Sequence, residues 1–473
     1  MQFATLEFSL FFIFVFAITW LLKSKFSLQK AFLIGASFFF YGCFNSIFVP
    51  FLLSAAFINF IGGVMMNRHP VRTKGLLIFF VSLNVAFLGY FKYYNFFVDN
   101  ANYLLLFTGV EFQVPFKELL FPLGISFFTF QNIAYLVDIH QKKTRPCLSL
   151  LDFLLYSSFF PKLISGPIVR PREFIEQLEE SRNHEIDISY AVTWLVSGLF
   201  KKVFIATYLG MYFVDDAFQS PENYSSLELL IASYGYSIQI FCDFSGYTDI
   251  AMGLSLLLGY RIPDNFNSPY SAVNIGDYWR RWHITFSTWL RDYLYFPLGG
   301  SRKGYLRTYI NLFITFAICG IWHGADYKYV LWGVIHALLL IGYKIFIDIK
   351  RAIGFKDREK KHILVIISGW FLTFHLCVFS RIPFYSPDLE SAAEYWRQLT
   401  ALTPNHDIFP WAAVTLISLG LIINFWGRRI AEFFVSIHTR LHWIFRIFIW
   451  SAFAIAIIFL HPGELAPFIY FRF

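Results

Sequence analysis

His323 is the residue whose type and position best suit proton transfer. It directly follows the apolar stretch 309–322, within CGIWHGADYKYVLWGVIHALLL. A titratable side chain at membrane depth is costly and is a functional candidate by default, although a neutral imidazole bonded to a neighbouring helix is the alternative. The flanking Gly320 and Gly324 should leave space beside the His323 ring, which favours a chemical role. For His336, inside the next apolar stretch, the sequence does not separate the two interpretations.

A second histidine, His283, lies in the long polar and aromatic segment 261–305, which contains NIGDYWRRWHITFSTWLRDYLYFPLGGSRKG. Spacings of three and four residues predict one amphipathic helix, with Asn274 or Asp277 able to cap it. Its aromatic stripe comprises Trp279, Trp282, Phe286, Trp289 and Tyr293, and its polar stripe comprises Arg280, His283, Ser287 and Arg291. The helix is either an interfacial anchor whose arginines pair with lipid phosphates or part of a reaction site. We expect His283 to face away from the aromatic stripe, which favours the reaction site.

Two carboxylates, Asp243 and Asp249, lie in the otherwise apolar stretch IQIFCDFSGYTDIAMGLSLLLGY. Buried carboxylates need partners. We expect arginines on the cytoplasmic side to supply them, so that both aspartates form structural ion pairs rather than catalytic groups.

The sequence lacks the motifs of several other enzyme classes. There is no P-loop, no GxSxG, no HExxH and no dinucleotide-binding glycine pattern. There is also no cluster of metal-ligand residues, so we expect neither a metal nor a permanently bound cofactor. A histidine base without a metal or a Ser or Cys nucleophile suits direct acyl transfer. The base would take a proton from an acceptor hydroxyl, which then attacks a thioester.

The composition predicts that a membrane protein positions these residues. Of 473 residues, 57% are hydrophobic and only 15% are charged, too few to cover soluble domains of this total length. The chain has no low-complexity tract that would indicate disorder. Its net charge of +8 indicates basic loops on one side of a membrane rather than a nucleic-acid partner. The 5 Cys show no paired spacing, so we expect no disulfides.

Apolar stretches predict an all-α polytopic protein of about 11–12 transmembrane helices. The predicted spans are 3–22, 31–46, 47–66, 75–91, 119–137, 189–213, 228–258, 306–322, 329–348, 363–380, 410–426 and 446–461. Basic residues collect in the loops after the first, third, fifth and ninth spans, beginning with Lys23, Lys25 and Lys30. This places those loops in the cytoplasm and the N-terminus outside. The segments 150–175 and 261–305 do not fit simple helical hairpins, and we expect re-entrant or amphipathic helices there.

The longest motifs resemble the membrane-bound O-acyltransferase (MBOAT) family, in its bacterial alginate O-acetyltransferase-like branch. They are PLGISFFTFQNIAYLVDIH at 122–140, SSFFPKLISGPIVRP at 157–171, CDFSGYTDIAMG at 242–253, DYWRRWHITFSTWLRDYLYFPLGG at 277–300, Trp322-His323-Gly324 and the terminal FIYFRF. Their number and order make the resemblance specific, and it runs nearly end to end. One departure is CVFSRIP, where Ser380 stands at a position expected to hold Phe.

The resemblance implies one membrane domain over 1–473, in which a ring of helices encloses a funnel. Peripheral helices would occupy 1–110, a catalytic core 117–350 and C-terminal helices 363–473. His323 matches the catalytic histidine of the family, and His283 matches its second position on the preceding amphipathic helix. The donor would be acetyl-CoA, used from the cytoplasm. Guanidinium groups pair with phosphate bidentately, and the candidates to hold the coenzyme A phosphates are Arg280, Arg281, Arg291, Arg302 and Lys303.

The resemblance also implies a bacterial inner-membrane protein that works with a periplasmic SGNH-type acetyltransferase. Together they would O-acetylate an exopolysaccharide such as alginate, or cell-wall glycan; the motifs do not separate these polymers. The alternative is a transporter or flippase of a lipid-linked glycan, with His323 and the two aspartates as a proton relay. The lack of internal repeats favours the enzyme. The terminal GELAPFIYFRF either docks the partner or packs on the helix ring.

Overall fold

The computed structural model describes residues 1–179, 187–354, 362–404 and 409–459, and all regular structure within these ranges is helical. The terminal segment GELAPFIYFRF lies outside the described residues. Each of the predicted spans overlaps a helix in the described part of the chain, although the ends differ by several residues. The fold class predicted from the sequence, an all-α polytopic membrane protein, is therefore confirmed.

A first compact unit comprises Met1–Ile188 and Ala251–Pro263. It contains α1 (Leu6–Leu21), α2 (Phe26–Gly42), α3 (Phe48–Arg68), α4 (Thr73–Phe107), α5 (Ile125–His140), α6 (Leu150–Ser158), α7 (Phe160–Leu163) and α8 (Pro171–Glu179). In its core, Tyr41 of α2, Leu52 of α3, Phe128 of α5 and Leu163 of α7 pack together with no exposed surface. Apolar burial thus joins these four helices.

A second compact unit comprises Ser189–Ile250 and Asp264–Phe473. The helices from there to the end of the described chain are α9 (Ile188–Leu199), α10 (Thr207–Leu209), α11 (Asp215–Gln219), α12 (Ser226–Leu257), α13 (Ile275–Arg281), α14 (Ile284–Leu290), α15 (Tyr305–His323), α16 (Tyr327–Ala352), α17 (Ile363–Tyr385), α18 (Leu389–Thr400), α19 (Trp411–Arg440) and α20 (Trp443–Phe459). The π-helical segments Phe200–Ala206 and Gly210–Val214 link α9, α10 and α11 into one run. A third, Arg291–Tyr295, extends α14.

Seven helical segments within the described residues are long and apolar enough to cross a membrane. They are Phe48–Arg68, Pro70–Phe107, Ile188–Gln219, Tyr305–His323, Tyr327–Ala352, Ile363–Tyr385 and Trp411–Arg440. α1 and the stretch Trp443–Phe453 are shorter apolar helices. The chain is therefore a multi-pass membrane protein, while the ring, the funnel, the division at 110 and 363 and the outside N-terminus stay predictions.

The segment 150–175 is broken into short helices, as its prolines predict. Pro161 lies in the first turn of α7, and Pro171 begins α8. Proline fits a first helical turn because the N–H that it lacks would have no helical partner there. Between these helices, Ile168 and Val169 are buried although their backbone is not helical. Irregular backbone is thus enclosed by protein at this point.

The sequence predicted that Lys30 is a cation of the first loop. The structure places it in α2, where it is buried. Its ammonium lies 2.5 Å from Asp152 Oδ1 and donates to Leu178 O at 2.7 Å. A buried ion pair is tolerated only when both charges are closely paired and hydrogen-bonded. The charge argument for the first loop therefore depends on Lys23 and Lys25, which are exposed.

Candidate active site

The amphipathic segment around His283 is bent rather than continuous. The bend lies between α13 and α14, where His283 has a left-handed backbone conformation with φ of 44°. Of the two predicted caps, Asn274 is the one used, and its Oδ1 accepts from Asp277 N at 2.8 Å. The prediction of one helix with a single aromatic stripe is wrong. Spacings of three and four residues occur in two short helices as well as in one long helix, so they do not reveal a bend between them.

The chain preceding α13 holds this bend in place. Asn265 O accepts from Ile284 N at 2.9 Å, and Asn265 Oδ1 accepts from Thr285 N at 3.2 Å. On the other side of the bend, Asn267 N donates to Arg281 O at 2.9 Å. A side-chain-bearing residue with positive φ is strained, and it persists only where its surroundings fix it. Such residues cluster at functional sites.

His283 is buried among aromatic rings, with 1% of its surface exposed. Its ring centroid lies 4.6 Å from that of Phe244, 4.9 Å from Phe286 and 6.2 Å from Trp322. The expectation that His283 faces away from the aromatic side chains is wrong, since the bend turns it toward them. His283 lies outside the membrane-spanning segments, and burial lowers its pKa to about 3. The imidazole is therefore neutral at physiological pH.

His323 ends α15 and is also buried, with 5% of its surface exposed. Its ring centroid lies 4.9 Å from Trp322, 4.9 Å from Trp332 of α16 and 5.1 Å from Phe384 of α17. Trp332 and Phe384 both meet it nearly edge to face. Three helices thus enclose this imidazole with apolar rings.

The two histidines share the neighbours Phe286 and Trp322. These rings stack 4.2 Å apart. Phe286 lies 4.9 Å from His283 and 6.1 Å from His323, while Trp322 lies 6.2 Å and 4.9 Å from the same rings. The structure therefore brings both predicted histidines into one group. We call it the histidine cluster, and it comprises Phe244, His283, Phe286, Trp322, His323, Trp332 and Phe384.

Gly320 and Gly324 allow close helix packing and do not leave space beside His323. A Cβ on Gly320 would meet the backbone of Tyr329 and, at 3.1 Å, the Cα of Gly333 in α16. A Cβ on Gly324 would overlap the Tyr329 ring. The sequence predicted free space beside the His323 ring at these two glycines, but α16 occupies it. Small residues at such a contact let two membrane helices approach closely.

His336 of α16 takes part in a hydrogen-bond chain, which supports the structural interpretation that the sequence left open. Trp279 Nε1 donates to His336 Nδ1 at 3.3 Å. In a neutral ring Nε2 then carries the proton and donates to Ser380 Oγ at 3.1 Å, and Ser380 donates to Cys377 O at 2.9 Å. Ser380, the departure from the family pattern, is thus the hydrogen-bond partner of His336.

Arg381 is a buried cation near the bend. It was not among the functional residues predicted from the sequence. It donates to Tyr278 Oη at 2.6 Å, to Ser237 Oγ at 3.3 Å and to Cys377 O at 3.2 Å. Its guanidinium carbon lies 4.9 Å from the centre of the Trp282 ring, and aromatic faces attract a desolvated cation. An arginine at the end of an apolar stretch is the signal that could have identified it.

Asp243 and Asp249 of α12 form structural ion pairs, as predicted, but with lysines rather than arginines. Lys202 Nζ contacts Asp243 Oδ1, and Lys201 Nζ lies 2.6 Å from Asp249 Oδ2. All four side chains are buried, and the pairs join α12 to the π-helical segment Phe200–Ala206. Two adjacent lysines in the apolar stretch 189–213 are the signal that could have identified the partners.

The five predicted phosphate-binding residues are accessible at the surface, in contrast to the buried histidines. Arg280 and Arg291 have side-chain exposures of 72% and 54%. Arg281 is partly covered and lies 3.0 Å from Asp277 Oδ2. The remaining two, Arg302 and Lys303, are exposed in the loop before α15. Cations in these positions can reach a phosphate in solution.

The histidine cluster is suited to moving a proton in surroundings from which water is largely excluded. A neutral imidazole can accept a proton from a hydroxyl. The surrounding rings keep water away, which strengthens electrostatic interactions and protects a thioester from hydrolysis. In the described ranges, no group of three His, Cys, Asp or Glu residues is placed to hold a metal ion. The arrangement can therefore support acyl transfer to a hydroxyl.

Comparison with known proteins gives a consistent result. The sequence model of the MBOAT, membrane-bound O-acyltransferase family, matches residues 135–384, which include both histidines. The chain is 37% identical to a "Probable alginate O-acetylase" of Pseudomonas putida, over 77% of this chain and 73% of that protein. It is 36% identical to a "Peptidoglycan O-acetyltransferase" of Helicobacter pylori, over 79% and 74%. It is 31% identical to a "Teichoic acid D-alanyltransferase" of Bacillus subtilis, over 57% and 71%.

Proposed function

The chain belongs to the membrane-bound O-acyltransferase family, and we propose that it is an O-acetyltransferase that uses cytoplasmic acetyl-CoA. The acyltransferase class follows from the family, and it replaces the transporter alternative. The acetyl group is proposed because two relatives, identical to this chain at more than a third of the aligned residues, are named for O-acetyl transfer. The proposed acceptors are hydroxyls of an exopolysaccharide such as alginate, or of cell-wall glycan, outside the bacterial inner membrane.

The observation that carries this proposal is the shared aromatic environment of His283 and His323. In the proposed step, His323 takes the proton of an acceptor hydroxyl while the hydroxyl oxygen attacks the thioester carbonyl carbon. The carbonyl electron pair moves onto oxygen, and its return breaks the carbon–sulfur bond. The coenzyme A thiolate then takes the proton from the imidazolium, which restores the neutral base. His283, neutral at the working pH, would hold the donor or the acceptor by hydrogen bonding.

We propose that the exposed basic residues hold the phosphates of coenzyme A. Arg302 and Lys303 immediately precede α15, whose N-terminal N–H groups also favour anions. At its other end this helix carries His323. At about 1.5 Å per residue, the 19 residues of α15 separate the two ends by roughly 27 Å. An extended pantetheine arm would cover the larger part of such a distance, and the long side chains of Arg302 and Lys303 would reach toward the phosphates.

We further propose that acetyl groups pass to a small acceptor on a periplasmic SGNH-type acetyltransferase and from it to the polymer. The support is the burial of both histidines, because a folded polysaccharide cannot approach an imidazole that is 5% exposed. A single hydroxyl-bearing residue or segment of a partner is small enough to do so. The acyl donor and the polymer would thus be used on opposite sides of the membrane.

The test of the proposed function is acetyl transfer by the purified protein in proteoliposomes with radiolabelled acetyl-CoA. Changing His323→Ala should lower the transfer rate by roughly 10²–10⁴-fold, the usual loss for a general base. The control is His375→Ala in α17, a histidine whose Nδ1 lies 2.7 Å from Phe371 O and which is outside the histidine cluster. Full transfer by the His323 variant would overturn the assignment.

The relay is tested separately by offering soluble polymer with and without the periplasmic partner. Dependence on the partner is the expected result. Efficient acetylation of the polymer by this protein alone would contradict an obligatory relay, while leaving the acetyltransferase activity itself established.

A further inference from the structure

Trp332 is the indole of α16 that borders His323. Its ring is 6% exposed, and its centroid lies 4.9 Å from that of His323 at an interplanar angle of 87°. Phe384 lies 5.2 Å away and His336 4.5 Å away. Trp332 is therefore packed directly against the proposed base.

The indole N–H of Trp332 is buried and has no hydrogen-bond acceptor in the part of the chain that the structure describes. An indole nitrogen can only donate a hydrogen bond, so the missing partner of Trp332 must be an acceptor. Two other indoles of this chain have acceptors: Trp279 donates to His336 Nδ1, and Trp370 donates to Tyr270 O at 2.8 Å. The Trp194 indole N–H, which is outside the histidine cluster, also has no acceptor among the described residues. A buried donor left without an acceptor destabilises the folded chain.

We propose that the Trp332 indole N–H binds the carbonyl oxygen of the acyl group during transfer. This inference rests on the proposed acetyltransferase function. It assigns to Trp332 the role of an oxyanion donor: when the acceptor oxygen attacks, the carbonyl electron pair moves onto the oxygen that the N–H contacts. The electron pair returns when the carbon–sulfur bond breaks, and the thiolate leaves with the proton that His323 had taken.

Three observations lead to a carbonyl oxygen rather than another ligand. The missing partner must be an acceptor, since the indole is a donor only. It would lie near His323, because the centroids of the two rings are 4.9 Å apart. It must also be tolerated among apolar rings, which favours a neutral oxygen that gains charge only in the transition state. The thioester carbonyl of the donor meets all three conditions.

The kinetic test compares Trp332→Phe with Trp370→Phe. Each change keeps an aromatic ring and removes one indole N–H, but the N–H of Trp370 serves a backbone carbonyl outside the histidine cluster. Trp332→Phe should lower kcat by roughly 10²–10³-fold, the usual effect of one oxyanion donor, with little change in KM for acetyl-CoA or in thermal stability. Trp370→Phe should leave kcat unchanged.

An unchanged kcat in Trp332→Phe would overturn the inference and would mean that the N–H is met by water or by nothing. In that case wild-type transfer and the loss in His323→Ala would still support the proposed function. If wild-type protein failed to transfer acetyl groups at all, the proposed function itself would fall. The two failures are therefore distinguishable.

A second measurement does not depend on folding of a variant. A ketone analogue of acetyl-CoA, in which a methylene separates sulfur from a ¹³C-labelled carbonyl, binds without reacting. Its infrared carbonyl band should move to lower frequency on binding wild-type protein, because a hydrogen bond weakens the carbonyl bond. A bound analogue whose band stays at the frequency of an apolar solvent would contradict the proposal.

Discussion

Phe244 and His283 meet edge to face with their ring centroids 4.6 Å apart, and the residue before Phe244 on α12 is Asp243, the buried partner of Lys202. The ion pair therefore fixes the part of α12 against which His283 packs. Near this pair the backbones of α12 and α9 approach closely, since a Cβ on Gly246 of α12 would lie 2.8 Å from the carbonyl oxygen of Gly198 in α9. A structural ion pair thus acts on the site through a single aromatic ring.

Removal of one partner from this pair should destabilise the protein strongly. Lys202→Met removes the ammonium that contacts the buried Asp243 carboxylate, and breaking a buried pair in this way costs about 3–5 kcal/mol. The double change Lys202→Met with Asp243→Leu removes both charges and should recover most of that loss. The measurement is the thermal midpoint of the detergent-solubilised protein, followed by size-exclusion chromatography.

The matched control is Arg428→Met, which removes one member of an exposed pair with Glu432 at 3.5 Å. Exposed pairs contribute little, so this variant should behave as wild type. A double variant as unstable as Lys202→Met alone would contradict the prediction, because the loss of stability would then not come from a remaining buried charge.

The helices could be predicted from the sequence because long apolar stretches leave few other structures in a membrane. Asn274 as a cap and the broken segment around Pro161 and Pro171 also followed from local rules. The bend at His283 could not be predicted, since it depends on hydrogen bonds that Asn265, 18 residues earlier, accepts from Ile284 N and Thr285 N. Local periodicity contains no information about such a contact.

The two histidines could be chosen from the sequence, but their surroundings could not. The two adjacent lysines in the apolar stretch 189–213 were a signal in the sequence, but only the packing of α12 shows that Lys202 pairs with Asp243 and Lys201 with Asp249. Arg381 and Trp332 were missed for a related reason. An arginine or a tryptophan beside an apolar stretch is common, and only the packed structure shows which donors are served and which are not.

The glycines of α15 give a prediction about helix packing. Gly320→Ala should lower stability by about 1–3 kcal/mol, because the new Cβ would collide with the backbone of Tyr329. Gly342→Ala in α16 is the control, since nothing lies within 4 Å of a Cβ there. That variant should be as stable as wild type or slightly more so, as alanine favours a helix. Equal thermal midpoints for the two variants would refute close packing at Gly320.

His283 should make the stability of the protein depend on pH. Its pKa is about 3 in the folded chain and about 6.5 when exposed, so between these values only the unfolded chain binds the proton. The stability is therefore full above pH 6.5 and falls as the pH decreases toward 3. At pH 5 the expected loss is roughly 2 kcal/mol relative to neutral pH.

The comparison variant for this pH dependence is His283→Asn, because asparagine tolerates a left-handed backbone and does not titrate. Thermal midpoints measured at pH 7.5 and pH 5 should differ more in wild type than in this variant. Equal differences in the two proteins would mean that other groups cause the acid sensitivity.

The exposed basic loop before α15 gives the last prediction, which concerns the donor. Arg302→Glu combined with Lys303→Glu should raise KM for acetyl-CoA by 10-fold or more, on the order of 1.4 kcal/mol, with a smaller effect on kcat, because phosphates are held equally in the ground and transition states.

The control is Arg397→Glu in α18, an exposed arginine that the charge pattern places on the opposite side of the membrane. Reversal of the charge there should leave KM unchanged. Added salt should raise KM in wild type and hardly at all in the double variant, since screening weakens a contact that the variant has already lost. A wild-type KM in the double variant would exclude this loop and direct attention to Arg280 and Arg291.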